Sequence, residues 1–185
     1  MALHVTNKKI YVNMTDINSP DPETGLGDTS ESPASNVDLI ELLFFAYRDF
    51  ISDPDAILAQ YGFGRAHHRV LHFVNRNPGL TVADLLGILN ITKQSLARVL
   101  KQLVDSGFIE QKPGSSDRRQ RLLYTTPDGR GLAEQLLKPQ SRRIDKAFRH
   151  LHADERRIVS SFLFEMIDRA EQPNVSRLTG KEHTD

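Results

Sequence analysis

The apolar positions along this chain predict a set of helices, one short hairpin, and flanking segments with little to bury. From Ser35, the stretch VDLIELLFFAYRDFI repeats apolar groups at helical period; Ser35 can cap it with Asp38 three residues on, and Asp53-Pro54 predicts its break. A second apolar helix is predicted from about Arg65 to Val74, ended by NRNPG. In LTVADLLGILN, Thr81 and Asp84 make a capping box, and Val82, Leu85, Leu86 and Leu89 supply a stripe to bury. Asn90 closes this helix, because asparagine tolerates the left-handed backbone that a tight turn requires. Thr92 caps the next helix, TKQSLARVLKQLVDSG. Its Leu96, Val99, Leu100, Leu103 and Val104 recur at i, i+3, i+4, i+7 and i+8, and Gly107 stands at its C-terminal cap. Two short helices joined by a tight turn form a helix-turn-helix.

Beyond it the period changes. FIEQK alternates up to the turn signal Pro113-Gly114 and RLLYT resumes the alternation, so residues 108–112 and 121–125 are predicted as a hairpin with GSSDRRQ at its tip. Residues 127–149 and 154–171 read as two amphipathic helices, with Pro139 expected to kink or interrupt the first, and residues 173–185 as a frayed tail. Residues 1–34 are rich in Pro, Gly, Ser, Asp and Glu. They hold too few large apolar groups to offset the entropy of ordering, which predicts a disordered acidic tail.

Composition narrows the class. With 185 residues, 38% hydrophobic and 26% charged, the chain has room for one core or two small ones. It holds no apolar run near the roughly 18 residues of a membrane span, no secretory signal and no cysteine, so a cytoplasmic protein without thiol chemistry or membrane contact is expected. The net charge is zero but unevenly laid out. Residues 91–121 carry seven basic groups against three acidic, whereas residues 1–36 carry two against five. A charge run is ordinarily a solvated face, so what matters is where these cations sit.

On the second helix of the helix-turn-helix, Gln94, Arg98, Lys101 and Asp105 fall at about 140–200° from Leu96, opposite the apolar arc. Lys93 and Ser95 flank them. Gln94, Ser95, Arg98 and Lys101 are the side-chain types that bond base edges in a major groove, with Thr92 and Lys93 placed for phosphates. The same face would also serve as plain solvated helix surface. The hairpin that follows carries Arg118, Arg119 and Arg121 at its tip, which makes the unit a winged helix whose wing reaches a neighbouring minor groove. Arginine suits that groove better than lysine because its planar head is more weakly hydrated. Asp117 is expected to pair with a nearby arginine and hold the tip in shape.

From about residue 37 to 170 the chain resembles the MarR-type transcriptional regulators, most specifically over LTVADLLGILNITKQSLARVLKQLVDSGFIEQKPGSSDRRQRLLYTTPDG. Asn90 stands where that family more often has glycine. Asp117 and Arg119 match its Asp-x-Arg wing signature, and Thr126 and Gly129 match its Thr-x-x-Gly start of the next helix. The resemblance implies a mostly α fold: a winged helix-turn-helix over 64–126, with N-terminal (35–63) and C-terminal (127–172) helices forming a dimerisation region. It also implies a homodimer that binds pseudo-palindromic double-stranded DNA, acting as a repressor that responds to a small-molecule effector. The acidic leader is longer than the family pattern requires, and Thr125 stands where an apolar strand residue is common.

By analogy with relatives that bind phenolic or lipophilic acids, an effector cleft here would be lined by Tyr47, Phe50, His68 and His72. The absence of cysteine closes the peroxide-sensing route open to other relatives. His68 and His72 are spaced for zinc, but no third ligand lies near in sequence, so no metal or cofactor is expected, and the His67-His68 pair reads as ordinary packing. No Gly-rich phosphate loop, Gly-x-Ser-x-Gly or zinc-protease motif points to an enzyme. The competing class is a winged-helix module used for protein contacts only. Salt dependence and preference for a defined DNA site separate the two.

Overall fold

In the computed structural model, the described residues are 35–114 and 117–180. The expected acidic tail, Ser115 and Ser116 at the wing tip, and residues 181–185 lie outside them. Among the described residues, seven α-helices and three strands follow in the order α1 (Ser35–Ala59), α2 (Arg65–Arg76), β1 (Leu80–Thr81), α3 (Val82–Leu89), α4 (Lys93–Asp105), β2 (Ile109–Pro113), β3 (Arg121–Thr125), α5 (Pro127–Ala147), α6 (Ala153–Glu165) and α7 (Gln172–Thr179), with a 3-10 turn, Phe148–His150, after α5.

The caps predicted at Thr81, Asn90 and Thr92 form, whereas the side chain of Ser35, expected to cap α1, lies outside the described residues and the cap of α4 falls one residue before the expected Gly107. Thr81 Oγ1 accepts the Asp84 N–H at 3.1 Å while the Asp84 carboxylate accepts the Thr81 N–H at 2.9 Å. Asn90 adopts the left-handed conformation, φ 47° and ψ 50°, and Thr92 Oγ1 accepts the Ser95 N–H at 3.2 Å. Ser106 is the cap residue of α4, and Gly107 just beyond it turns the chain with φ 75°.

The three strands form one antiparallel sheet in the order β1-β3-β2, with Leu80 opposite Leu123 and Ile109 opposite Thr125. Strand β1 completes the predicted hairpin on its other side. Leu58, Val70, Leu71, Val74, Leu85, Leu96, Leu103, Leu123, Leu132 and Leu136 close a single core, so α4, the sheet and the start of α5 are held as one body. Thr125, set among apolar neighbours, is accommodated because its hydroxyl donates to Asn75 Oδ1 at 3.1 Å.

Three expectations are corrected. Helix α1 does not break at Asp53-Pro54 but continues to Ala59 with Pro54 inside it. The missing N–H loses one hydrogen bond, and the ring is compensated by full burial. Helix α5 likewise runs uninterrupted through Pro139. The frayed tail predicted from residue 173 is instead helix α7 as far as Thr179: Pro173 presets its first turn and Gly180, at φ 64°, ends it. Gln172 Nε2 ties it back by donating to the carbonyls of Phe164 and Ile167 at 3.4 and 3.3 Å.

Outside the core, α1 and α6 leave large apolar groups in the open. Phe44 is 68% and Ile158 67% exposed, with Leu42, Phe45, Tyr47, Phe162 and Leu163 all more than half exposed.

Candidate nucleic-acid interface and effector cavity

Helix α4 buries Leu96, Val99, Leu100 and Leu103, and this sets which side chains it offers outward. Thr92, Lys93, Gln94, Ser95, Arg98 and Lys101 are all exposed. The side chains of Lys93, Gln94 and Arg98 have no hydrogen-bond or ion-pair partner among the described residues. Three of the expected contacts are partly engaged: the Ser95 hydroxyl accepts from Thr92 Oγ1 at 2.9 Å, and Lys101 forms an i,i+4 ion pair with Asp105 that offsets its charge.

Behind this face, His67 anchors α4 to α2. Its ring stacks on Phe63 at 4.6 Å, its Nδ1 accepts the Gly64 N–H at 3.1 Å, and its Nε2 lies 2.8 Å from Gln102 Oε1 of α4. The Gly64 bond assigns the ring hydrogen to Nε2, which therefore donates to Gln102.

At the wing, Arg118, Arg119 and Arg121 are exposed, and none has a side-chain partner among the described residues. Asp117 does not form the guanidinium pair expected of it. Its Oδ1 accepts the backbone N–H of Arg119 at 2.8 Å, and its carbonyl accepts the Gln120 N–H at 3.1 Å. The tip is thus shaped by an aspartate turn, and the arginine heads stay uncommitted. Gly114 is required beside it, since a Cβ there would stand 2.7 Å from the Asp117 carbonyl oxygen. Further down, Lys112 lies 4.9 Å over the Tyr124 ring and pairs with Glu110 at 2.7 Å, stiffening the base of the wing.

A cavity of about 370 Å³ opens between α1, α2 and α5. It brings together Tyr47, Phe50, His68 and His72, the four residues named from the family analogy. Sequence reasoning missed Ile51, Asp55, Arg65, Arg69, Phe73 and Gln140, which also line it. Only chain folding puts α5 against α2, so no local signal in the sequence could have found Gln140. Burial lowers the pKa of His68, with His72 lowering it further and Asp55 opposing; burial lowers that of His72 too, helped by Arg76. Arg65 is held by Asp55 at 3.0 Å. Among the described residues no group of three or more His, Cys, Asp or Glu is placed to hold a metal ion, and no helix is long and apolar enough to cross a membrane.

A capped helix-turn-helix followed by a two-stranded basic wing on one core defines a winged-helix DNA-binding protein. A sequence model of the MarR family matches residues 61–120. The chain is 47% identical over 136 residues to the HTH-type transcriptional regulator PetP of Rhodobacter capsulatus, covering 74% of this chain and 80% of that one. It is 30% identical over 88 residues to the HTH-type transcriptional regulator YwhA of Bacillus subtilis, covering 48% and 63%. The crystal structure of MarR superimposes with a TM-score of 0.55 at 25% identity, over 84% of this chain and 99% of that one. The transcriptional regulator SlyA, at 20% identity, shares the fold with a TM-score of 0.59 over 76% and 95%. The chain belongs to the MarR family and is a DNA-binding transcriptional regulator.

Proposed function

We propose that the protein is a homodimeric repressor, working in the cytoplasm, that reads pseudo-palindromic operator DNA and releases it when a small molecule fills the cavity between α1, α2 and α5. It acts by binding and catalyses no reaction. Gln94, Ser95, Arg98 and Lys101 contact the major groove, Thr92 and Lys93 the phosphates, and Arg118, Arg119 and Arg121 the minor groove. The observation that carries the reading is the set of cations left without partners on α4 and the wing, in a chain whose net charge is zero. Exposed guanidinium heads on a loop shaped through its backbone are available to phosphate, the densest anion they can meet.

The second copy is supported by the apolar groups of α1 and α6. So many large exposed apolar groups on two helices, Phe44, Phe45 and Ile158 among them, exceed the scattered single hydrophobics of an ordinary surface, and packing against a second copy would bury them. Two recognition helices related by the two-fold axis of such a dimer would read half-sites roughly 34–36 Å apart. Phe44→Asp should therefore shift the protein from dimer to monomer in sedimentation.

Selection of bound fragments from a random duplex library at two salt concentrations tests the reading. An inverted repeat that persists at the higher salt is the expected result. Recovery of no motif would refute it and leave the basic face to an acidic protein partner.

A further inference from the structure

Among the described residues, one side-chain hydrogen bond ties α4 to another element, and it falls outside the apolar arc of the helix. With Leu96 at 0° and about 100° per residue, the buried Val99, Leu100 and Leu103 lie between about 300° and 40°, Arg98 at about 200° and Gln102 at about 240°. Gln102 is exposed and stands one turn beyond Arg98 on the same row of side chains. Its Oε1 accepts from His67 Nε2 of α2 at 2.8 Å.

The other restraints on α4 differ in kind. Thr92 with Ser95, and Lys101 with Asp105, are contacts within the helix and its cap, and apolar packing is non-directional: it holds a helix down more firmly than it fixes its roll. On the flank opposite Gln102, moreover, Ala97, Leu100 and Val104 border a cavity of about 460 Å³ that opens toward Val82 of α3 and Gln111 of β2. The helix therefore has room to roll on that side. His67, by contrast, is a fixed point. Its ring is buried, stacks on Phe63 with the planes 10° apart, and accepts the Gly64 N–H on Nδ1. Phe63 also meets the edge of Phe108, just past the end of α4, at 5.6 Å. Holding an exposed glutamine in one rotamer offsets most of what a single hydrogen bond contributes to stability, so what this bond supplies is direction.

Resting on the reading of α4 as the helix that contacts base edges, we propose that His67 is a positioning residue for sequence recognition: acting through Gln102, it fixes the roll of α4 and with it the aim of Gln94 and Arg98. Side chains reach about 5–6 Å from a helix axis, so a roll of about 20° carries their tips sideways by about 2 Å. A base-edge hydrogen bond does not survive that displacement, whereas a long flexible side chain keeps its phosphate. Loss of the link therefore costs discrimination between DNA sites rather than affinity for DNA as such.

The test is anisotropy titration of the full chain with the selected inverted repeat and with an unrelated duplex of equal length, at one salt concentration. The variants are Gln102→Leu, at an exposed position, His67→Phe, which keeps a ring on Phe63 and leaves the exposed Gly64 N–H to water, and the two combined. Cooperative thermal unfolding shows that each is folded. Each single substitution should weaken binding to the repeat by about five- to tenfold and to the unrelated duplex by less than about twofold, and the double variant should be no weaker than the singles, since all three break one link. Losses that multiply in the double variant would overturn the proposal and make Gln102 a direct DNA contact. Equal losses on the two duplexes, or none on either, would overturn it too, while the preference of the wild type leaves the base-reading face standing. A wild type that binds both duplexes alike would refute that face and the positioning role together.

Discussion

Gly129→Ala is the substitution whose cost follows most directly from the coordinates. Gly129 lies in the first turn of α5, where the winged unit hands over to the long helix. A Cβ built there stands 2.0 Å from the Phe108 carbonyl oxygen, 2.9 Å from its carbon and 3.3 Å from Thr125 Cβ. An ordinary carbon–oxygen contact begins near 3.3 Å, so the two segments must separate by about 1.3 Å. That displacement breaks the bond from the Thr126 N–H to the Phe108 carbonyl, now 3.1 Å, and strains the one from Thr126 Oγ1 to the Gly107 carbonyl, now 2.6 Å. It also pulls the Phe108 ring from its edge contacts with Tyr61 and Phe63, at 5.4 and 5.6 Å.

Overpacking costs about 1–3 kcal/mol, and each lost hydrogen bond about 1 kcal/mol. The gain in helix propensity from glycine to alanine returns at most about 1 kcal/mol. A net loss of about 1–4 kcal/mol follows, equivalent to a fall in Tm of roughly 2–16 °C for a chain of this size. Denaturant and thermal unfolding at fixed protein concentration measure it, because the proposed dimer would make stability concentration-dependent. Gly131→Ala is the control: two residues on in the same helix, its Cβ meets nothing within 4 Å, and the variant should be unchanged or up to about 1 kcal/mol more stable. If the two variants unfold alike, within about 0.5 kcal/mol of wild type, the close approach at Phe108 is not a constraint on the fold.

Other outcomes follow from the same geometry. Arg119→Ala removes one unpartnered wing cation and should weaken operator binding by about 1–3 kcal/mol in a fluorescence anisotropy titration; unchanged affinity would take the wing out of the mechanism. Arg98→Ala should lower affinity for the selected site more than for unrelated duplex, and equal losses on both would make it a phosphate contact. His68 and His72 titrate below the ordinary histidine value of 6.5, so between that value and their lowered ones the unfolded chain binds more protons than the folded one. Their contribution to stability is complete above pH 6.5 and lost as pH falls toward the lowered values. Tm should accordingly decline on acidification through that window, less steeply in His68→Gln/His72→Gln; identical slopes would show that other groups govern it.

What this sequence determined by itself lies within a few residues along the chain. Thr81 with Asp84, Asn90, and Thr92 with the Ser95 N–H are contacts spanning at most one helical turn, so the residue types alone specify them. The burial of Leu96, Val99, Leu100 and Leu103 follows from helical period, and with it the outward face of α4. Pro173 and Gly180 were equally local signals for α7, and compositional polarity near the chain end masked them.

Tertiary structure decided the rest. Strand β1 is two residues long, too short to show a period, and exists because Leu80 and Thr81 lie beside β3. Pro54 sits inside α1 because the fold buries its ring, which no dipeptide rule anticipates. Asp117 took a backbone N–H two residues away in preference to an arginine head, since that donor is already in place and needs no long side chain immobilised. Gln140 became part of a cavity only when α5 packed beside α2. A hydrogen bond between near neighbours costs little chain entropy and is written in the sequence, whereas a site gathered from residues 47 to 140 exists only once the core has closed.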